Sequence, residues 1–180
     1  MIFRLSQRLN NKIKAGPLSA VPMQINPYAD WSARIFTANR TQYILLSNTP
    51  SLYSVVMLGR EITNGRLFVS RALKSIHEFL SADGMSLIYE NFLAPAATSV
   101  RCCKPLNRSV TGCMNELEFM AKYCLESGEC SPVSMALRLN GLPLSALRTP
   151  ASGNYATPSE AFRRLAIQRR IDGINGCSER

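Results

Sequence analysis

At 180 residues and 19.9 kDa the chain has room for one full hydrophobic core and is short for two. Its 46% hydrophobic and 18% charged content excludes the disordered class, and no apolar run approaches the roughly 18 to 20 residues that span a bilayer, so no membrane partner is expected. A formal net charge of +9 fits either an anionic partner, nucleic acid or an acidic protein, or a solvated basic surface with no partner.

The opening Met1-Ile2-Phe3-Arg4-Leu5-Ser6-Gln7-Arg8 has charges among its apolar positions and lacks the uninterrupted apolar core of a signal peptide, which makes the cytoplasm the expected compartment. Phe3 and Leu5 belong to a first strand, and a short helix follows over Gln7–Ala15, with Leu9 and Ile13 on its buried side. Arg4, Arg8, Lys12 and Lys14 fall here with no acid among them. Gly16-Pro17 ends the helix, and Pro22 and Pro27 keep the next stretch extended.

From Trp31 the period becomes that of strands. Trp31–Thr37, Gln42–Ser47 and Leu52–Met57 are β-rich runs joined by Asn39-Arg40 and Asn48-Thr49-Pro50-Ser51, which predicts an antiparallel meander with Trp31, Ala33 and Ile35 on one face. Val69, Leu73, Ile76 and Leu80 recur at helical spacing, predicting a helix over Arg66–Ala82 that stops at Asp83-Gly84. Residues 85–97 fit no single element. A strand is predicted over Thr98–Cys103, a helix over Met114–Ser127, and a third helix capped at Ser131-Pro132 and closed at Asn140-Gly141.

A linker follows at 148–157, and Thr157-Pro158-Ser159-Glu160 has the form of a capping box opening a helix to about Ile171. That helix carries Arg163, Arg164, Arg169 and Arg170, with Phe162, Leu165 and Ala166 as a narrow apolar side. The expected fold class is α+β: an antiparallel three- to five-stranded sheet with helices on one face, plus the C-terminal basic helix. The expected division is one domain over 1–147, the linker, and a basic tail over 158–180.

The chemistry-bearing residues are few. Six cysteines form no C-x-x-C pair and His77 is the lone histidine, so neither a metal nor any cofactor is implied. No G-x-x-x-x-G-K-[ST] or G-x-G-x-x-G is present. The most distinctive stretch runs from Lys104 to Glu116, between a predicted strand and a predicted helix, where exposed helix N–H groups favour anions. Asn107, Arg108, Ser109, Gly112 and Asn115 are its candidate ligand-binding residues: Arg108 for bidentate contact, Ser109 or Asn115 as caps, Gly112 for close backbone approach. The same residues also fit a purely structural helix cap with an arginine paired inside its own domain.

Met1-Ile2-Phe3-Arg4-Leu5-Ser6-Gln7, Asp30-Trp31-x-Ala33-x-Ile35-Phe36, Arg40-x-Gln42-Tyr43-Ile44-Leu45-Leu46-x-Asn48 and Asn107-Arg108-Ser109-Val110-x-Gly112-x-Met114-Asn115-Glu116 occur together here. In this combination the chain resembles a bacterial domain of unknown function found in small stand-alone proteins, over roughly residues 1 to 147. The resemblance implies a single domain and carries no activity or ligand. Two departures are Cys113, where a serine is expected, and residues 148–180, which lie outside the pattern. The expected function is a non-enzymatic binding module for nucleic acid or an acidic protein, by analogy an accessory to a mobile element or a toxin–antitoxin pair. The alternative is a small metal-independent hydrolase or nuclease built on Arg108, Ser109 and Asn115.

Overall fold

The computed structural model describes residues 1–128, 131–147 and 155–165. Its strands are β1 (Ile2–Leu5), β2 (Asp30–Ala38), β3 (Thr41–Asn48), β4 (Ser54–Leu58) and β5 (Arg101–Cys103). Its helices are α1 (Gln7–Ile13), α2 (Gly65–Ala82), α3 (Ser86–Ile88), α4 (Arg108–Glu126), α5 (Pro132–Gly141) and α6 over residues 158–165. The undetermined stretch after α2 is α3 followed by a π turn at Tyr89–Leu93 and a 3-10 turn at Ala96–Thr98.

The five strands form one sheet in the order β4-β3-β2-β1-β5. The meander forms as the alternation predicts, with β2 antiparallel to β3 from Trp31↔Asn48 to Ala38↔Thr41, and β3 antiparallel to β4. Asn39 and Arg40 make the two-residue turn with φ of 45° and 60°, the left-handed pair that a tight hairpin requires. The expectation of an antiparallel sheet fails at β1, which lies parallel to β2 (Ile2↔Asp30) and parallel to β5 (Ile2↔Arg101). A parallel partner needs a long crossover. Here α1 and the proline-containing stretch after it carry the chain back to the start of β2, a return path that the periodicity of one strand does not reveal.

Helices on one face also gives way to helices on both. Trp31, Ala33, Ile35, Ile44, Leu46 and Val55 pack with α1, α2 and Phe162 on one side. Phe36, Leu45 and Val56 pack with Met114, Leu117 and Ala121 of α4 and Met135 and Leu139 of α5 on the other. Ser32 and Arg34 disguise this second face as solvent-facing in the sequence, yet Ser32 is buried and bonded to Thr49 and Arg34 is ion-paired to α4.

Arg4 fastens the middle of the sheet. It is 1% exposed, its Nε and Nη2 donate to the two carboxylate oxygens of Asp30 at 2.7 Å each, and its remaining N–H groups reach the carbonyls of Val21, Pro22 and Lys104 at 3.1, 2.8 and 3.4 Å. The whole donor fork is thereby satisfied out of water, which is the condition under which a buried charge is tolerated. Asp30 also accepts from the backbone N–H of Gln24, so the pair ties the 21–24 stretch to the sheet.

The capping box before α6 forms: the Thr157 N–H donates to Glu160 at 2.9 Å and the Glu160 N–H donates to Thr157 Oγ1 at 3.2 Å. Phe162 is fully buried, its ring stacked on Tyr53 at 4.6 Å and edge-on to Tyr28 at 5.0 Å. The rest of the expected basic helix, with Arg169 and Arg170, lies outside the described residues. No helix among the described residues is long and apolar enough to cross a membrane.

Candidate nucleic-acid interface

The segment after β5 is helix from Arg108 onward, not from Met114. Asn107 caps it by accepting from the Val110 N–H at 2.9 Å, and its carbonyl holds the Thr111 hydroxyl at 3.0 Å, so neither Ser109 nor Asn115 is the cap. Thr111 and Gly112, poor helix formers, hide these first turns in the sequence. Arg108 and Ser109 are exposed in the opening turn. Gly112 lies inside the helix with nothing within 4 Å of where a Cβ would sit, so no close backbone approach is made there.

Asn115 accepts from Arg34, which also pairs with Glu118 at 2.8 Å, and Glu118 pairs in turn with Lys122 at 2.7 Å. Arg108 and Asn115 stand seven residues apart, about 10 Å along the axis. The structure therefore strings Arg108, Ser109 and Asn115 along α4 without bringing them to one point. The recess beneath, between Arg4, Ser32, Arg34, Pro105 and Met114, has a volume of about 60 Å³, room for a few waters and not for a nucleotide.

A different group of side chains does converge. Lys12 of α1 donates to Gln42 of β3, the Gln42 carbonyl accepts from Gly59 just beyond β4 at 2.8 Å, and Ala15 lies 3.9 Å from the Cβ position of Gly65 at the start of α2. These contacts draw α1, the β2–β3 turn, the exit of β4 and the first turn of α2 to one end of the sheet. Arg8, Lys14, Arg40, Arg60 and Arg66 are exposed there, and Lys12 is half-buried among them. Lys14 terminates α1 in the left-handed conformation and Arg40 occupies the hairpin turn, so both are held on irregular backbone that projects from the layer. Glu61 within this group is 3.8 Å from Arg71, and Asn39 of the hairpin turn donates to the Leu125 carbonyl at 2.9 Å, next to the exposed Glu126.

Arg163 and Arg164 of α6 lie elsewhere. Arg163 donates to the carbonyl of Asp83, just beyond α2 and about 27 Å from its first turn by the rise of a helix. The sequence clusters of basic residues are thus two separate surfaces. Arg40, Arg60 and Arg66 are the members that sequence reading misses, since they stand alone in the chain. The signal available was their position beside predicted turns and at a predicted helix start.

Other reactive groups are built for packing. His77 is exposed on α2 and stacks on Tyr89 at 4.2 Å. Burial raises the Cys102 thiol above its ordinary pKa, as does the neighbouring Cys103. Burial also raises that of Cys113, with Glu116 adding to it. Both are held away from the thiolate form. Tyr53 donates to Asp83 at 2.7 Å, and burial drives its phenol well above the ordinary tyrosine range. Among the described residues no three His, Cys, Asp or Glu side chains gather as metal ligands.

The fold has relatives of known structure. It is similar to the catalytic core domain of BIV integrase, at TM-score 0.52 and 16% identity, over 80% of this chain and 99% of that one. A chain in the simian T-cell lymphotropic virus intasome, solved in complex with PP2A regulatory subunit B56 gamma, matches at TM-score 0.45 and 17% identity, over 81% of this chain and 58% of that one. Among curated proteins none matches. A family model covers residues 2–161, reaching into α6, and by that match the chain belongs to the family Domain of unknown function (DUF6933).

Proposed function

We propose that this chain is a nucleic-acid-binding module that holds the phosphate backbone against the basic end of its sheet. The observation that carries this reading is the gathering of Arg8, Lys12, Lys14, Arg40, Arg60 and Arg66, from four separate segments, at one end of the sheet. Surface cations collected on one end repel each other, and counterions or a polyanion relieve that repulsion. Among the described residues no exposed aromatic side chain belongs to the group, so the contact is to phosphates and reads no base sequence. The likeness to the integrase core, at 16% identity, is one of fold and contributes no residue to this reading. The hydrolase alternative gains nothing from the geometry, because Arg108, Ser109 and Asn115 lie apart along α4.

Fluorescence polarisation with mixed DNA and RNA oligonucleotides over a salt series tests the reading. Replacing Lys14, Arg40, Arg60 and Arg66 with alanine should lower the slope of log K against log salt by about 0.9 for each phosphate no longer neutralised on duplex DNA. The Arg163→Ala, Arg164→Ala pair should leave that slope unchanged. Wild-type protein that fails to bind at low salt, or binding indifferent to the quadruple change, overturns the proposal and leaves an acidic protein as the partner class.

A further inference from the structure

The outward face of α4 carries features that a single copy of the chain does not explain. Phe119 and Tyr123, one turn apart, are each 72% exposed. Gly112 sits within the helix in open space, where alanine would fit and stabilise the helix by about 1 kcal/mol. Arg108 at the start of the helix and Glu126 at its end are exposed, and neither forms an ion pair among the described residues.

These residues share one line. Arg108 and Glu126 are eighteen residues apart, five full turns at about 3.6 residues each, so they project in the same direction. Asn115 and Phe119 fall about 20° to either side of that direction, and Gly112 and Tyr123 about 40° and 60° from it. The buried residues Met114, Leu117, Ala121 and Leu125 occupy the opposite side. The stripe therefore reads, from one end to the other, cation, glycine, amide, aromatic, aromatic, anion. Lys122 lies about 40° to the other side and is drawn off the line by its ion pair with Glu118, and the Asn115 amide oxygen is engaged by Arg34.

Such an order is complementary to itself when reversed. We infer that the stripe is a homodimer interface, in which α4 of one copy lies antiparallel against α4 of a second around a two-fold axis level with Leu117. In that arrangement Arg108 faces Glu126 of the second copy at both ends, an isologous pair of salt bridges. Phe119 packs beside the second copy's Asn115 and Phe119, and the second copy's Tyr123 ring lies over Gly112, where any side chain would hold the helices apart. The two helix dipoles oppose one another, which favours the pairing slightly. A nucleic acid is the poorer occupant: α4 carries Glu116, Glu118 and Glu126 against Arg108 and Lys122, three acids to two bases. One helix pair makes a small interface, so the association is reversible and concentration-dependent.

Sedimentation velocity on the full chain over a concentration series tests this. Wild-type protein should show a reversible monomer–dimer equilibrium. Arg108→Glu and Glu126→Arg should each weaken it by at least about tenfold, since each sets like charges against one another at both ends. The doubly reversed chain should recover the wild-type constant, a rescue that no general loss of folding can imitate. Gly112→Leu should abolish the dimer while circular dichroism shows an intact fold at least as stable as the wild type. Wild-type protein that is monomeric at every concentration, a dimer unmoved by Arg108→Glu, or a double reversal without rescue would each overturn the inference.

Discussion

Removing Arg4 is the sharpest test of how the sheet is held. Arg4→Ala leaves the Asp30 carboxylate wholly buried with its one remaining donor, the Gln24 N–H, and strips the carbonyls of Val21, Pro22 and Lys104 of their guanidinium partner. Breaking a buried pair by deleting one partner costs about 3 to 5 kcal/mol, chiefly through the charge left behind. Against a total stability of about 5 to 15 kcal/mol, the variant should still fold while losing a large part of its margin. Asp30→Asn should cost a similar amount, for it strands the guanidinium instead. The Arg4→Met, Asp30→Asn double variant removes both charges and should lose less than the sum of the singles by about 2 kcal/mol or more.

Urea unfolding followed by fluorescence gives these energies directly, because Trp31 is the only tryptophan, is fully buried and adjoins Asp30. The midpoints should fall with the slope unchanged. A loss below about 1 kcal/mol for Arg4→Ala, or strict additivity in the double variant, would show that water reaches the pair and that the clasp is decorative.

Two further outcomes concern α6. Phe162→Ala should cost about 3 to 5 kcal/mol in the same assay, because the ring fills a site walled by Tyr28, Trp31 and Tyr53, whereas Arg164→Ala on the exposed side should be close to neutral. An equally small effect of both would mean that α6 rests on the sheet without holding it. The Glu160 carboxyl has its pKa lowered, first by the backbone N–H of Thr157 and then by its hydroxyl and by Arg164. A lowered folded-state pKa means that the stabilisation is present above the ordinary glutamate value and is lost as pH falls through the lowered one. Hydrogen exchange at the start of α6 should therefore quicken on acidification, and Glu160→Gln should flatten that response; an unchanged response in the variant would assign it to other groups.

What the sequence discloses is governed by range. The meander, α2, α5 and the Thr157–Glu160 box were legible because their signals are local: alternation, 3.6-residue spacing, a cap three residues from its partner. The direction of β1 was not, since nothing within Ile2–Leu5 distinguishes a parallel neighbour from an antiparallel one. The start of α4 was obscured by Gly112 and Thr111, whose weak propensity is outweighed by the Asn107 cap and by burial of Met114 and Leu117. In the basic group, Arg8, Lys12 and Lys14 are near one another in sequence and are visible there. Arg40, Arg60 and Arg66 reach them only through the folded sheet. The Asn107–Asn115 signature was visible as a pattern, but its residues are spent on a cap, an ion-pair network and an outward stripe, a division that only the helical register reveals.

The interior place of β1, between β2 and the edge strand β5, also shapes how the chain can fold as it is made. Its partners are Asp30–Ala33 on one side and Arg101–Cys103 on the other. At a synthesis rate of about 5 to 20 residues per second, the second edge of β1 waits roughly 5 to 20 s for β5 to emerge. During that interval Ile2, Phe3 and Leu5 present an apolar strand with one unpaired side, while the local β2–β4 hairpins are already able to close. Completion of the sheet is therefore a late, long-range event, and the nascent chain is most vulnerable to mispairing before Cys103 has left the ribosome.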